Sequence, residues 1–216
     1  MRAGQPLRLI GMLDSPYVRR VAIALDLLGV PFEHELLSVF STFEQFREIN
    51  PVVKAPTLVC ADGAILMESS LILQFVEADQ GRSLWPVDKD ERRRAFEVVA
   101  LALAACEKGA QIVYERNLRP AAAQHEPWVE RVTSQLLAAY SALEQHVVRS
   151  PALFADSTQH PAMTATAVWG FTQAMLGELV PAADYPALAA VADRTEQTAP
   201  FLKYPSGGPG VPLHPA

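Results

Sequence analysis

Ser15 is the residue whose type and position most directly suggest chemistry. It follows Leu7, Leu9, Ile10 and Met12, a short apolar run read as a strand buried in a sheet. Asp14-Ser15-Pro16 is a helix-start signal, a capping-type residue followed by proline at an early helical position. Val18, Val21, Ala22, Leu25 and Leu28 then recur at helical spacing, and Gly29 is a C-terminal stop. The Ser15 hydroxyl is thus expected where a strand ends and a helix begins, beside unpaired backbone N–H groups and the positive end of the helix dipole. A hydroxyl there can donate to a bound thiolate and hold it ionised, or it can do no more than cap the helix. Residues 7–29 alone leave both readings open.

Two further clusters have the same character. Asn50-Pro51-Val52-Val53-Lys54-Ala55-Pro56 leads into the apolar run Thr57-Leu58, with Pro56 where a strand's first residue can do without a ladder donor. Ala61-Asp62-Gly63 is a turn signal between residues 57–60 and 64–67, predicting a hairpin. Glu68-Ser69-Ser70 precedes Leu71, Ile72, Phe75 and Val76, which puts a second polar cluster at a helix start. The elements that must position these groups run strand, helix, strand, irregular helical segment, Pro-led hairpin, helix. The second strand is read in residues 30–37, and Phe40, Phe43, Phe46 and Ile49 give the connector its weak helical pattern.

This order, with Ser15-Pro16-Tyr17-Val18-Arg19-Arg20-Val21, Gly29-Val30-Pro31-Phe32-Glu33, Lys54-Ala55-Pro56 and Glu68-Ser69, resembles the thioredoxin-like N-terminal domain of the cytosolic glutathione transferase superfamily, in its serine-type, bacterial-like form. The resemblance implies an α/β thioredoxin-like domain over 1–81, a linker over 82–88 and an all-α helical-bundle domain over 89–216. It implies that Ser15 stabilises the thiolate of glutathione, a co-substrate, for attack on an apolar electrophile. It implies glutathione binding by Lys54, by the backbone of Ala55 before a cis Pro56, and by Glu68 and Ser69 at the γ-glutamyl end. Ser69 would meet the carboxylate and Glu68 the ammonium. Met12, Lys108, Gln111, Ile112 and Arg116 become candidates for the electrophile's pocket, between the domains. The family uses polar or basic residues around 38–49 at the glycine end of glutathione. Here that segment offers Arg47 near its end, with Ser41 and Thr42 as substitutes. A homodimer, a detoxification role and a cytoplasmic location follow from the same resemblance. The rival readings are a non-catalytic glutathione-binding or protein-interaction module, and a glutathione-dependent isomerase or dehalogenase.

The remaining sequence narrows the classes. The 216 residues suit one large or two small domains. A net charge of −6 argues against nucleic acid as a partner. Polar residues interrupt every apolar run before the ~18 residues a membrane span needs, and the first residues lack a signal peptide's apolar core. Cys60 and Cys106 stand far apart without metal-ligand spacing, so neither a metal nor a disulfide is expected. Arg92-Arg93-Arg94 follows Asp88, Asp90 and Glu91 and reads as a locally paired, solvated helix face. The helix it opens should bury Phe96, Val99, Ala100, Leu103, Cys106, Ala110 and Val113. A second long helix, near 127–148, should bury Val132, Leu136, Ala139, Tyr140 and Leu143. A third follows from Ala162, where Thr164 stands in for the family's capping box. After a last helix the chain should end in an irregular tail rich in proline and glycine.

Overall fold

The computed structural model describes residues 6–212; the readings that touch 1–5 and 213–216 lie outside the described residues. The chain divides into two compact units. Among the described residues, 6–84 together with 199–210 form the first, and 85–198 with 211–212 form the second.

In the first unit, β1 (Leu7–Ile10) pairs in parallel with β2 (Phe32–Glu35) and antiparallel with β3 (Thr57–Val59). With β4 (Ile65–Met67) antiparallel to β3, the sheet order is β2-β1-β3-β4. The parallel pair needs a crossover, supplied by α1 (Pro16–Leu28), which opens with proline and closes on Gly29 at φ 72°. α2 (Phe43–Ile49) is short, with Phe46 as its buried anchor. α3 (Ser69–Gln80) also ends on a left-handed glycine, Gly81 at φ 59°. Leu9, Ile10, Val18, Val21, Leu25, Leu58, Ile72 and Val76 form the core, a sheet face covered by α1 and α3.

The last helix among the described residues, α8 (Ala199–Lys203), and residues 204–210 after it belong to this first unit, not to the helical domain that the sequence predicts over 89–216. The anchor is Arg19. Its side chain is 2% exposed, its guanidinium lies 4.9 Å from the centre of the Phe201 ring, and its Nε donates to the Tyr204 carbonyl at 2.8 Å. Tyr204 stacks on Phe32, Lys203 pairs with Asp26, and the Asp14 carboxylate accepts from the Gly210 amide at 2.8 Å. An arginine one turn into a helix reads as a surface residue, but this one is covered by chain 185 residues away.

The second unit is built on α4 (Lys89–Leu118), α5 (Glu126–Arg149), α6 (His160–Leu176) and α7 (Pro186–Glu196). α5 buries the five residues its periodicity singles out. On α4 the expected face is rotated. Val99, Cys106 and Val113 are buried, but Phe96 is 54% exposed and Ala100 is exposed, while Ala95, Val98, Ala102, Ala105, Gly109 and Ile112 turn inward. An alanine-rich helix has no strongly apolar side to read. Small residues give the closest helix approach, and Phe96 instead stacks on Trp85 at 4.0 Å between ring centroids. Thr164 does not cap α6. That helix starts at His160 behind Gln159, with no side-chain cap, and Thr164 is buried a turn further on. α7 is capped from another helix, the Glu144 carboxylate accepting from the amides of Ala187 and Leu188 at 2.8 Å each. Burial raises the Tyr140 phenol's pKa well above its ordinary value, and its hydroxyl donates to Thr172 at 2.6 Å. Among the described residues no helix is long and apolar enough to cross a membrane.

Candidate functional site

Two backbone turns meet at the end of β1, and Gly11 makes the meeting possible. Its φ of 142° favours glycine, and a Cβ there would lie 2.6 Å from Val18 Cγ2 and 3.3 Å from Ala55 Cβ. Both its peptide groups are held by β2. The Gly11 amide donates to the Glu35 carbonyl at 3.0 Å, and His34 Nε2 donates to the Gly11 carbonyl at 2.9 Å. The turn before Ser15 and the turn at Ala55 are thereby drawn together. Nothing in the apolar run of β1 announces this glycine; a lone glycine at a predicted strand end was the available signal.

Ser15 is the N-cap of α1, with extended backbone at φ −77° and ψ 117°. Its Oγ accepts from the Val18 amide at a long 3.4 Å, so its own proton remains available to a ligand. The amide of Arg19 bonds back to the Ser15 carbonyl at 2.9 Å and closes the first turn.

The Ala55-Pro56 peptide bond is cis. The loop before it is shaped by a buried pair that pattern reading left unremarked. Asn50 Nδ2 donates to Thr57 Oγ1 at 2.8 Å, and the Thr57 hydroxyl donates to the Lys54 carbonyl at 2.7 Å. Val53 is left with φ 50°, in a region β-branched residues avoid. Lys54 is exposed.

Glu68 is the N-cap of α3, and its φ of 74° makes it, with Val53, one of two non-glycine residues at positive φ among those described. Its carboxylate accepts from the amides of Ser70 and Leu71 at 3.1 Å each. Ser69 is 1% exposed, and its Oγ accepts from Arg20 Nη1 at 3.0 Å; Ser70 Oγ lies 3.3 Å from the same nitrogen. Both strained residues thus stand directly beside predicted binding residues, Val53 before Lys54-Ala55 and Glu68 before Ser69. Strain of this kind persists where the surroundings over-determine it. Arg20, itself 1% exposed, was not singled out by the sequence.

The remaining candidates separate. In the 38–49 segment Thr42 Oγ1 accepts from the Ser38 amide and donates to its carbonyl, Ser38 Oγ accepts from the amides of Phe40 and Ser41, and Arg47 pairs with Glu44. Most of the polar capacity there is spent on local structure. Met12 is half-buried in the first unit. Lys108 and Gln111 both bond Glu107, at 3.0 and 2.9 Å. Ile112 is 3% exposed and, with Arg116, lines an open cavity of about 730 Å³ inside the second unit, walled also by Val129, Gln173 and Leu176. Of the candidates in the second unit, Ile112 and Arg116 line the same cavity. Cys60 and Cys106 form no disulfide, and no group of His, Cys, Asp and Glu able to hold a metal occurs among the described residues.

Known proteins share both this sequence pattern and this fold. Residues 9–84 match the family described as glutathione S-transferase, N-terminal domain. The uncharacterized GST-like protein YibF of Escherichia coli is 29% identical over 143 residues, which are 66% of this chain and 70% of that protein. Glutathione S-transferases of Arabidopsis thaliana match over 54% to 58% of their own length. Two bacterial structures are similar over nearly the whole chain. The glutathione S-transferase of Methylobacterium radiotolerans, in complex with glutathione sulfonate, is 26% identical, covering 98% of this chain and 97% of that one at a TM-score of 0.81. A glutathione transferase family member from Pseudomonas fluorescens with bound glutathione is 26% identical, covering 94% of this chain and 100% of that one at 0.79. A sequence match across the first unit and a fold match across both make this chain a member of the cytosolic glutathione transferase superfamily.

Proposed function

We propose that the protein is a glutathione transferase in which Ser15 stabilises the thiolate of bound glutathione for attack on a small apolar electrophile. The observation that carries this reading is the Ser15 hydroxyl at the start of α1, capping loosely and with its proton uncommitted. Glutathione's thiol behaves as a free cysteine's, with a pKa of about 8.5. Lowering it by ~2 units requires about 2.7 kcal/mol of selective thiolate stabilisation. A charge-assisted hydrogen bond supplies ~1.5–3 kcal/mol and the helix N-terminus up to ~1. These two contributions suffice. The thiolate sulfur then forms a bond to the electrophilic carbon, and the electron pair leaves with the displaced group or moves onto the acceptor.

Glutathione would lie with its γ-glutamyl end at Glu68 and Ser69 and its cysteinyl part along the backbone of Ala55. The strained, tightly held backbone at Val53 and Glu68 supports a preformed site there. Lys54, exposed beside it, adds a cation that reaches a carboxylate without desolvation cost.

A homodimer is part of the same proposal. Ile65, Leu71 and Phe75 expose apolar surface on β4 and α3 of the first unit, as do Phe96 and Ala100 along α4 of the second. A second copy would cover these faces, and Phe75→Glu should then shift the sedimentation coefficient toward that of a monomer. A cytoplasmic detoxification role accords with the reaction proposed.

The test is calorimetric titration of glutathione together with the ultraviolet absorbance of its thiolate. Saturable binding with thiolate absorbance at neutral pH, followed by turnover of an electrophile panel, supports the enzyme. Binding without turnover of any electrophile makes the protein a binding module instead. No binding at millimolar glutathione overturns the proposal.

A further inference from the structure

We infer that Arg20 is a positioning residue for the γ-glutamyl carboxylate, acting through Ser69. The inference rests on the glutathione reading of the site. At the start of α3 the Glu68 carboxylate already takes the amides of Ser70 and Leu71. Those N–H groups would otherwise be the helix's means of holding an anion. A second carboxylate arriving at Ser69 therefore meets a helix start with two of its amides already occupied and a nearest side chain that carries its own negative charge. The Arg20 guanidinium, 1% exposed, offsets that charge and reaches both hydroxyls that follow Glu68.

The hydrogen-bond directions make the role specific. Arginine can only donate, so Ser69 Oγ accepts from Nη1 at 3.0 Å and must send its own proton elsewhere. The acceptor it has is Glu68 Oε1 at 3.5 Å, at the limit of a hydrogen bond. A ligand carboxylate oxygen is a closer and better acceptor, and a hydroxyl already accepting from a cation is polarised toward donation. Arg20 thus fixes which way Ser69 points and strengthens the bond it makes, without touching the ligand itself.

The experiment compares glutathione with an analogue whose γ-glutamyl carboxylate is replaced by hydrogen, 4-aminobutanoyl-cysteinylglycine. Both are titrated calorimetrically into wild type, Arg20→Met and Arg20→Lys, with thermal melts beside them. Arg20→Met should weaken glutathione about tenfold or more, as losing a charged hydrogen-bond partner does, and the analogue by less than about threefold. Arg20→Lys should fall between. Equal loss for both ligands means that Arg20 only ties α1 to α3, and it overturns the inference; so does a Kd for glutathione equal to wild type. If Arg20→Met does not fold, Arg20→Lys carries the test, because its preference for glutathione over the analogue must drop below that of wild type. Wild-type protein that binds no glutathione overturns the functional reading and this inference together, whereas wild-type binding without the coupling overturns this inference alone.

Discussion

The two helix starts at the candidate site solve the same problem in opposite ways. α1 begins on Ser15, a neutral cap with one long bond to the Val18 amide and ordinary backbone angles. α3 begins on Glu68, a charged cap with two bonds of 3.1 Å and a backbone held at φ 74°. The loose neutral cap leaves the helix dipole and a hydroxyl proton for an incoming anion. The tight charged cap takes two amides of its helix for itself and puts a carboxylate where a cation can be held. Thiolate and ammonium, the charges that glutathione would bring to Ser15 and to Glu68, match that division, while its γ-glutamyl carboxylate would fall to Ser69 beside Arg20.

Making the two starts alike should have the largest effect. Ser15→Asp puts a carboxylate where the thiolate would sit. Two like charges ~4 Å apart repel by about 4 kcal/mol at an effective dielectric of ~20, so turnover should fall at least ~100-fold. Asp and Ser cap equally well, so the melting temperature should hold, and a large drop in it would mean that the loss was one of folding. Glu68→Ala removes the other cap. Glutathione should bind about 10- to 100-fold more weakly as the ammonium loses its partner, and the protein should lose ~1 kcal/mol of stability as α3 frays. Denaturant titration separates the second effect from the first.

Ser15→Ala is milder. Turnover near neutral pH should drop about tenfold or more, with glutathione affinity nearly unchanged at mildly acidic pH, where the thiol is protonated in both proteins. If Ser15 lowers the thiol's pKa as proposed, the wild-type rate should rise with pH and level off early. Without the hydroxyl the same rise should move upward by ~1–2 units. A rate profile that stays in place would assign the thiolate's stabilisation to another donor. The smallest expected effect concerns a third start, α4, where the Asp88 carboxylate accepts from the amides of Asp90 and Glu91. Its pKa is lowered, chiefly by the Glu91 amide. A depressed folded-state pKa means that the cap's contribution is present above the ordinary aspartate value and lost as pH falls through the lowered one. Asp88→Asn should flatten the acid limb of the stability curve slightly, while Ser15→Asn leaves that limb unchanged.

Legibility followed the kind of interaction. Caps, turns and the period of α5 are local and amphipathic, and there the sequence spoke clearly. Ser15-Pro16, Gly29, the hairpin at Asp62-Gly63 and the inner face through Val132 to Leu143 stand as read. Gly11 was not legible, because its constraint comes from Val18 and Ala55 rather than from its neighbours in β1. On α4 alanines stand on every side, so spacing alone cannot fix the buried face: Phe96 and Ala100 are exposed while Ala95, Ala102, Ala105 and Gly109 are buried. Arg19 and Arg20 look like a solvated pair; each is buried against a partner far along the chain, one the C-terminal segment and the other the start of α3.

The segment that covers Arg19 also fixes when the first unit can be finished. Its anchors join residues 185 and 196 apart in sequence, Arg19 to Tyr204 and Asp14 to Gly210. During synthesis the sheet and α1 are made first, yet the Arg19 guanidinium waits uncovered until Phe201 and Tyr204 have been added. Contacts this distant along the chain make closure late and slow. The helix that carries Ser15 would therefore mature only once residues 199–210 are made, and a protein stopped at residue 198 would carry Ser15 on a helix with one side left open.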